Sequence, residues 1–174
     1  MSSINYDLTR IEGIAFDVDG VLSPSTIPLG EDGMPMRMVN IKDGYALQLA
    51  VKLGMKLAII TGGKSEAVRK RFEALGIKDI YQGCAHKLPV LQEWMQSRGL
   101  TTDSTAYMGD DIPDLRAMRA VSLPCAPHDA CWEARETALY VSPFSGGYGC
   151  ARDLIEQVLK AKGLWMRDGH AFGW

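Results

Sequence analysis

Residues 11–23 read IEGIAFDVDGVLS, an apolar run that closes on two acids, Asp17 and Asp19, and a glycine, Gly20. The part IEGIAFD (11–17) has the length of a strand buried on both faces and is followed at once by a turn signal. Outward from it the same unit recurs. MKLAIIT (55–61) is a second buried strand, followed by Gly62 and Gly63, and STAYMGD (104–110) is a third that again ends in acids, Asp110 and Asp111. IKDIYQG (77–83), VSLPC (121–125) and ALYVS (138–142) are shorter strand signals, the last two separated by DACWEARET (129–137). Helical periodicity fills the gaps: GYALQLAVKLG (44–54), KSEAVRKRFEALG (64–76), HKLPVLQEWMQSRG (86–99), IPDLRAMRA (112–120) and GCARDLIEQVLKAKG (149–163). Four of these end at a glycine, the usual helix stop. Strands alternating with helices predict parallel βαβ units, hence a doubly wound, Rossmann-like α/β sheet covered on both faces.

The chain has 174 residues, 47% apolar and 23% charged, which suits one globular domain over residues 1–174. Its apolar runs are strand-sized, far short of the roughly 20 residues that span a bilayer, so no membrane partner is expected. The amino-terminal MSSINYDLTR lacks a basic region followed by an apolar run, so no secretory signal is expected either. A net charge of −2 argues against nucleic acid but leaves room for a small anionic substrate. Cys84, Cys125, Cys131 and Cys150 form no CxxC pair and read as reduced thiols of a cytoplasmic protein.

Two stretches break the rhythm. IPLGEDGMPMRMVNI (27–41) predicts a hairpin turning at Glu31-Asp32-Gly33, inserted over about residues 25–42. The tail from about 163 to 174 ends in the aromatic-rich LWMRDGHAFGW and has no period.

In an open parallel sheet, ligands bind beyond the carboxyl ends of the strands. There lie Asp17 and Asp19, Thr61 with Gly62 and Gly63, and Asp110 with Asp111, while Lys87 opens a nearby helix. Taken singly, the Asp-Gly step is a turn, the Thr-Gly pair a helix cap, Lys87 a solvated lysine and Asp110-Asp111 a cap before Pro113. Together they make a phosphoryl-transfer set. Asp17 supplies an anionic nucleophile, giving an aspartyl-phosphate. Mg²⁺, which prefers a few carboxylates plus phosphate oxygens, suits Asp17 and Asp110. Asp19, two residues on, faces the same side and is placed for acid/base work on the leaving group and the water. Lys87, Thr61 and the N–H groups of Gly62 and Gly63 meet the transferring oxygens.

FDVDGVLS, the threonine of ITGGKS, Lys87 and GDDIPD resemble the four motifs of the haloacid dehalogenase superfamily, in that family's order. The resemblance implies Asp17 as nucleophile and metal ligand, and Asp19 as acid/base with its carbonyl on the metal. It implies Thr61 and Lys87 on phosphate, Asp110 as the third ligand, and Asp111 and Asp114 as support or substrate contacts. Only 41 residues separate Asp19 from Thr61, and 25 separate Thr61 from Lys87, which leaves no room for a cap domain. That is similar to the capless subfamily, whose members form homotetramers in which a hairpin closes a neighbour's site. VNIKDGYAL, TGGKSEAVRKRFEALGI and SGGYGCARDLIEQVL further resemble 3-deoxy-D-manno-octulosonate 8-phosphate (KDO 8-phosphate) phosphatases of lipopolysaccharide precursor synthesis. By position this implies sugar-acid contacts at Asn40, Ile41, Lys42, Asp43, Gly44, Gly62, Gly63, Lys64 and Arg71, with Arg71 suited to the carboxylate. One departure stands out: many such phosphatases carry Arg after the Thr-Gly pair, where this chain has Gly63. The sister enzymes for KDN 9-phosphate carry Glu there and Lys at the position of Ala74, and this chain has neither. The family's tail can also reach a neighbouring active site.

Three rivals share parts of this pattern. A receiver-type phosphoacceptor places its paired acids after the first strand but accepts phosphate on a later one. An inert oligomerisation module of the same fold would have lost catalytic residues, and here all five are present. A phosphatase of the same type with another small phosphate ester remains the nearest alternative.

Overall fold

The computed structural model describes residues 4–173. Among them six strands form one parallel sheet: β1 (Gly13–Phe16), β2 (Lys56–Ile60), β3 (Asp79–Tyr81), β4 (Thr105–Met108), β5 (Leu123–Ala126) and β6 (Tyr140–Val141). Their order is β3-β2-β1-β4-β5-β6, as expected for a doubly wound sheet. The chain therefore winds outward from β1 on one side, then crosses back to β4 on the other. That places the topological switch between β1 and β4, which pair from Gly13↔Thr105 to Phe16↔Met108. The crevice for a ligand opens there.

Strand alternation sorts the side chains into two cores. Ile14, Phe16, Leu57, Ile59, Ala106 and Met108 face one layer, made by α1 (Ile41–Lys52), α2 (Glu66–Ala74) and α6 (Cys150–Ala161). Ala15, Ala58, Ile60 and Tyr107 face the other, made by α3 (Lys87–Ser97), α4 (Leu115–Met118) and α5 (Trp132–Thr137). Trp94 and Leu91 of α3 are fully buried in that second core; burying each such side chain is worth about 1.5–3 kcal/mol. No helix among the described residues is long and apolar enough to cross a membrane.

Several boundaries move from the sequence reading. The first helix begins at Ile41 and not at Gly44, because the Asn40 side chain accepts the N–H groups of Lys42 and Asp43 and starts it early. The expected helix over 112–120 is a 3-10 turn at Ile112–Asp114 followed by the single turn of α4, since Asp111 caps it and Pro113 opens it. The hairpin turns where expected, with Gly33 at φ +74°. Its arms, however, meet in a single antiparallel bridge, Leu29↔Pro35, and form no ladder. Pro28 and Pro35 lack the N–H donors that a longer pairing needs.

The tail also differs from an arm reaching outward. It folds onto its own α1: Tyr45 Oη donates to the Ala171 carbonyl at 2.6 Å, and Lys52 Nζ to that of Gly173 at 3.3 Å. Trp165 packs edge-on against Tyr45, and the Arg152 guanidinium lies over both rings. Trp174, the last residue of the expected tail, lies outside the described residues.

Candidate active site

Alternation along β1 carries the next residue, Asp17, onto the Ala15 face, toward α3. Lys87, the first residue of α3, meets it there: Nζ lies 2.7 Å from Asp17 Oδ2 and 2.7 Å from Asp114 Oδ1. All three side chains are at most 9% exposed. Burial alone would push the Lys87 amine down, but Asp17 and Asp114 outweigh it and hold it above its usual value.

Asp17, Asp110 and Asp114 place one carboxylate oxygen each within 4.8 Å of one another. Their surroundings distinguish them. Asp114 is fully buried and takes two donors on each oxygen: Lys87 and Tyr107 Oη (2.6 Å) on Oδ1, the N–H groups of Asp110 and Asp111 on Oδ2. Asp17 takes one donor per oxygen, Val18 N–H on Oδ1 and Lys87 on Oδ2. Asp110's carboxylate receives no hydrogen bond from the described residues. Asp17 and Asp110 therefore keep lone pairs for a cation, whereas Asp114 is spent on holding Lys87 and the loop after β4. Burial, then the charge of Asp114, pushes the Asp17 carboxyl up to about 7. Burial, then Asp17, pushes Asp110 up to about 8. Two acids so placed are stabilised as anions by a hard divalent ion with oxygen ligands, which is the chemistry of Mg²⁺.

Gly20 makes this approach feasible. It adopts φ +84°, and an ideal Cβ there would fall 1.9 Å from Asp110 Oδ2. Only glycine lets the loop after β1 lie against the loop after β4.

These groups line one cavity of about 480 Å³, together with Asp19, Ser25, Thr61, Gly62, Gly63, Cys84 and Asp111. The Thr61 hydroxyl accepts the Gly63 N–H at 3.2 Å, which orders the loop after β2. The five residues predicted for catalysis and metal binding, Asp17, Asp19, Thr61, Lys87 and Asp110, are thus brought together. Of the predicted sugar-acid contacts, Gly62 and Gly63 line this cavity, and Asn40, Ile41, Lys42, Asp43, Gly44, Lys64 and Arg71 are not among its lining residues. Asn40 caps α1 and donates to the Gly147 carbonyl; with Lys42 it borders a separate depression beside Tyr148 and Arg152. Ile41 is exposed, and Asp43 is buried, accepting the Arg152 N–H at 2.7 Å. Gly44 lies under the guanidinium of Arg71, and Lys64 packs against Gly83. Asp114, almost wholly buried at the cavity floor, has both oxygens taken up by Lys87, Tyr107 and the loop after β4, which suits support of the site. The sequence reading missed Arg37, which pairs with Asp19 through Nε at 2.7 Å and Nη2 at 2.8 Å. Its one signal was a charge amid the exposed apolar run Met34, Met36 and Met38.

No protein-family model matches the chain. A curated relative from Salmonella typhi, the 3-deoxy-D-manno-octulosonate 8-phosphate phosphatase KdsC, is 35% identical over 159 residues, covering 90% of this chain and 85% of the relative. The chain belongs to the KDO 8-phosphate phosphatase family. That family lies within the haloacid dehalogenase superfamily, and several of the similar solved structures are KDO 8-phosphate phosphatases. The enzyme from Moraxella catarrhalis, solved with magnesium, phosphate and KDO, superposes with a TM-score of 0.86 at 35% identity, covering 90% of each chain. The cobalt-bound KDO 8-phosphate phosphatase from Haemophilus influenzae gives 0.86 at 29% identity, covering 90% of this chain and 92% of that one.

Proposed function

We propose that this chain is a Mg²⁺-dependent phosphatase that hydrolyses KDO 8-phosphate to the free sugar acid and phosphate, a step toward lipopolysaccharide precursors. The observation that carries the reading is the Asp17 carboxylate at the switch between β1 and β4, backed by Lys87 at 2.7 Å and faced by Asp110. Asp17 attacks phosphorus, the bond to the ester oxygen breaks, and Asp19 gives that oxygen its proton. Asp19 then takes a proton from water, which attacks the aspartyl-phosphate and restores Asp17. Thr61, the N–H groups of Gly62 and Gly63, and Lys87 bind the phosphoryl oxygens through both steps. Mg²⁺, held by Asp17, Asp110 and the Asp19 carbonyl, supplies the charge neutralisation that lets one anion approach another.

We also propose a homotetramer, a reading that the surface chemistry supports. Leu29, Met34, Met36 and Ile41 of the hairpin segment are all more than half exposed, apolar surface that a second copy would cover. Arg71 and the start of α1, which are not among the lining residues of their own chain's cavity, would meet sugar acid in that assembly. Four free thiols suit the cytoplasm. Phosphate release from KDO 8-phosphate, KDN 9-phosphate and nucleotides, with Mg²⁺ and then with EDTA, tests the reading. Preference for the eight-carbon ester, lost in EDTA, is expected; equal turnover of nucleotides would overturn the substrate, and turnover in EDTA the mechanism.

A further inference from the structure

The hairpin segment inverts the usual rule of burial. Met36 and Met38, at 53% and 49%, are exposed, while the Arg37 side chain between them is 9% exposed. A guanidinium leaves water only for good partners. Arg37 has them in the fork-on-carboxylate pair with Asp19, at 2.7 and 2.8 Å. It also has room. An ideal Cβ on Gly63 would lie 2.4 Å from Arg37 Nη2 and 3.4 Å from Asp19 Oδ2. The guanidinium thus fills the space that a side chain at position 63 would take, and it borders the loop after β2, whose Gly62 and Gly63 line the cavity.

This pairing has two chemical consequences. Both oxygens of Asp19 are held by Arg37, so neither is turned to a leaving oxygen while the fork is closed. Lys87, meanwhile, is divided between Asp17 and Asp114. The guanidinium lies directly against Asp19 and Gly63, two lining residues of this acid-lined cavity, and the same planar fork fits phosphate as well as carboxylate.

From the juxtaposition of Arg37, Asp19 and Gly63 we infer that Arg37 is an anion-binding residue of the active site, exchanging Asp19 for the phosphoryl oxygens when a phosphate ester binds. The exchange couples substrate binding to the release of Asp19. Gly63 is the opening that lets an arginine from the hairpin reach the phosphoryl pocket, which also accounts for the missing arginine after the Thr-Gly pair. The inference rests on the phosphatase reading and adds to it a residue that none of the four motifs contains.

The test is binding of inorganic phosphate to the Mg²⁺-loaded protein by calorimetry, for the natural chain, Arg37→Gln, Arg37→Lys, Asp19→Asn and the double variant Asp19→Asn/Arg37→Gln. Arg37→Gln is expected to weaken phosphate about tenfold or more, the size of a lost charge-assisted pair, with Arg37→Lys in between. In the Asp19→Asn background Arg37 has lost its competing carboxylate, so the penalty of Arg37→Gln is expected to grow. Phosphate affinity unchanged within about twofold by Arg37→Gln in both backgrounds, with kcat alone reduced, overturns the proposal and leaves Arg37 a brace for Asp19. Near-ultraviolet circular dichroism checks folding; should Arg37→Gln fail it, Arg37→Lys is decisive, since equal affinity there rejects a fork-shaped contact. No phosphate binding by the natural chain with Mg²⁺ sinks the phosphatase reading itself, a result separate from the variant pattern.

Discussion

Asp114 Oδ1 receives Lys87 Nζ at 2.7 Å, at the floor of the cavity where both side chains are almost wholly buried. A buried lysine is costly unless its partners are fixed, and Asp114 is fixed by Tyr107 and two backbone N–H groups. Lys87 is thereby presented to Asp17 at the same distance, as a preset positive charge beside the nucleophile.

Replacing Asp114 by Asn keeps a hydrogen-bond acceptor and removes the charge. We expect kcat to fall about 100-fold, with stability reduced by about 3–5 kcal/mol, the cost of breaking a buried pair. Steady-state kinetics and denaturant unfolding measure the two. An unchanged kcat would show that Lys87 needs no second partner.

Asp17→Asn removes the attacking oxygen anion while keeping the size of the side chain. Turnover is expected to fall by many powers of ten, and no phosphorylated enzyme should be trapped by rapid quench with mass spectrometry. A near-normal rate would reject Asp17 as nucleophile.

Gly20→Ala sets a methyl group against Asp110 in a backbone conformation that L-residues resist. The strain costs about 1–2 kcal/mol, and the collision displaces a proposed metal ligand. Mg²⁺ affinity, read by calorimetry, is expected to drop at least about tenfold. Wild-type affinity in this variant would mean that the two loops need not touch.

The carboxyls of Asp17 and Asp110 stand at about 7 and about 8, above the ordinary 3.8. The folded chain therefore holds protons that the unfolded chain has released over this window. The stability these two groups contribute without metal is present at low pH and lost as pH rises through about 7 and about 8. Mg²⁺ binds the ionised acids, so the rise in Tm that it causes should be greater at about pH 8.5 than at about pH 6. A greater rise at the lower pH would contradict this coupling.

Light scattering should give four copies of the chain, and Met36→Glu on the exposed hairpin edge should shift it toward smaller species. A fully active monomer would remove the shared-site assembly.

Much of this was legible before any coordinates. Three apolar runs ending in Asp17, Thr61 and Asp110 announced strand ends, because a doubly buried strand must be continuously apolar and its ligand groups can only follow it. Order along the chain then gave the sheet and the convergence of Asp17, Thr61, Lys87 and Asp110. The first turn of α1 was read less well. Asn40 to Gly44 look like a polar loop, yet Asn40 Oδ1 is used by the cap, Asp43 Oδ1 by the Arg152 N–H, and the Arg71 guanidinium covers Gly44.

Sequence by itself determined the winding of the sheet and which acids gather at its centre, since period-two burial and chain order are local properties of the residues. Tertiary structure alone decided that Asp114 is a buried support, that Gly20 must lack a side chain, and that Arg37 crosses eighteen positions to close on Asp19. Those outcomes depend on which loops come within hydrogen-bond reach after packing, and a distance between loops is written in no single stretch of the chain.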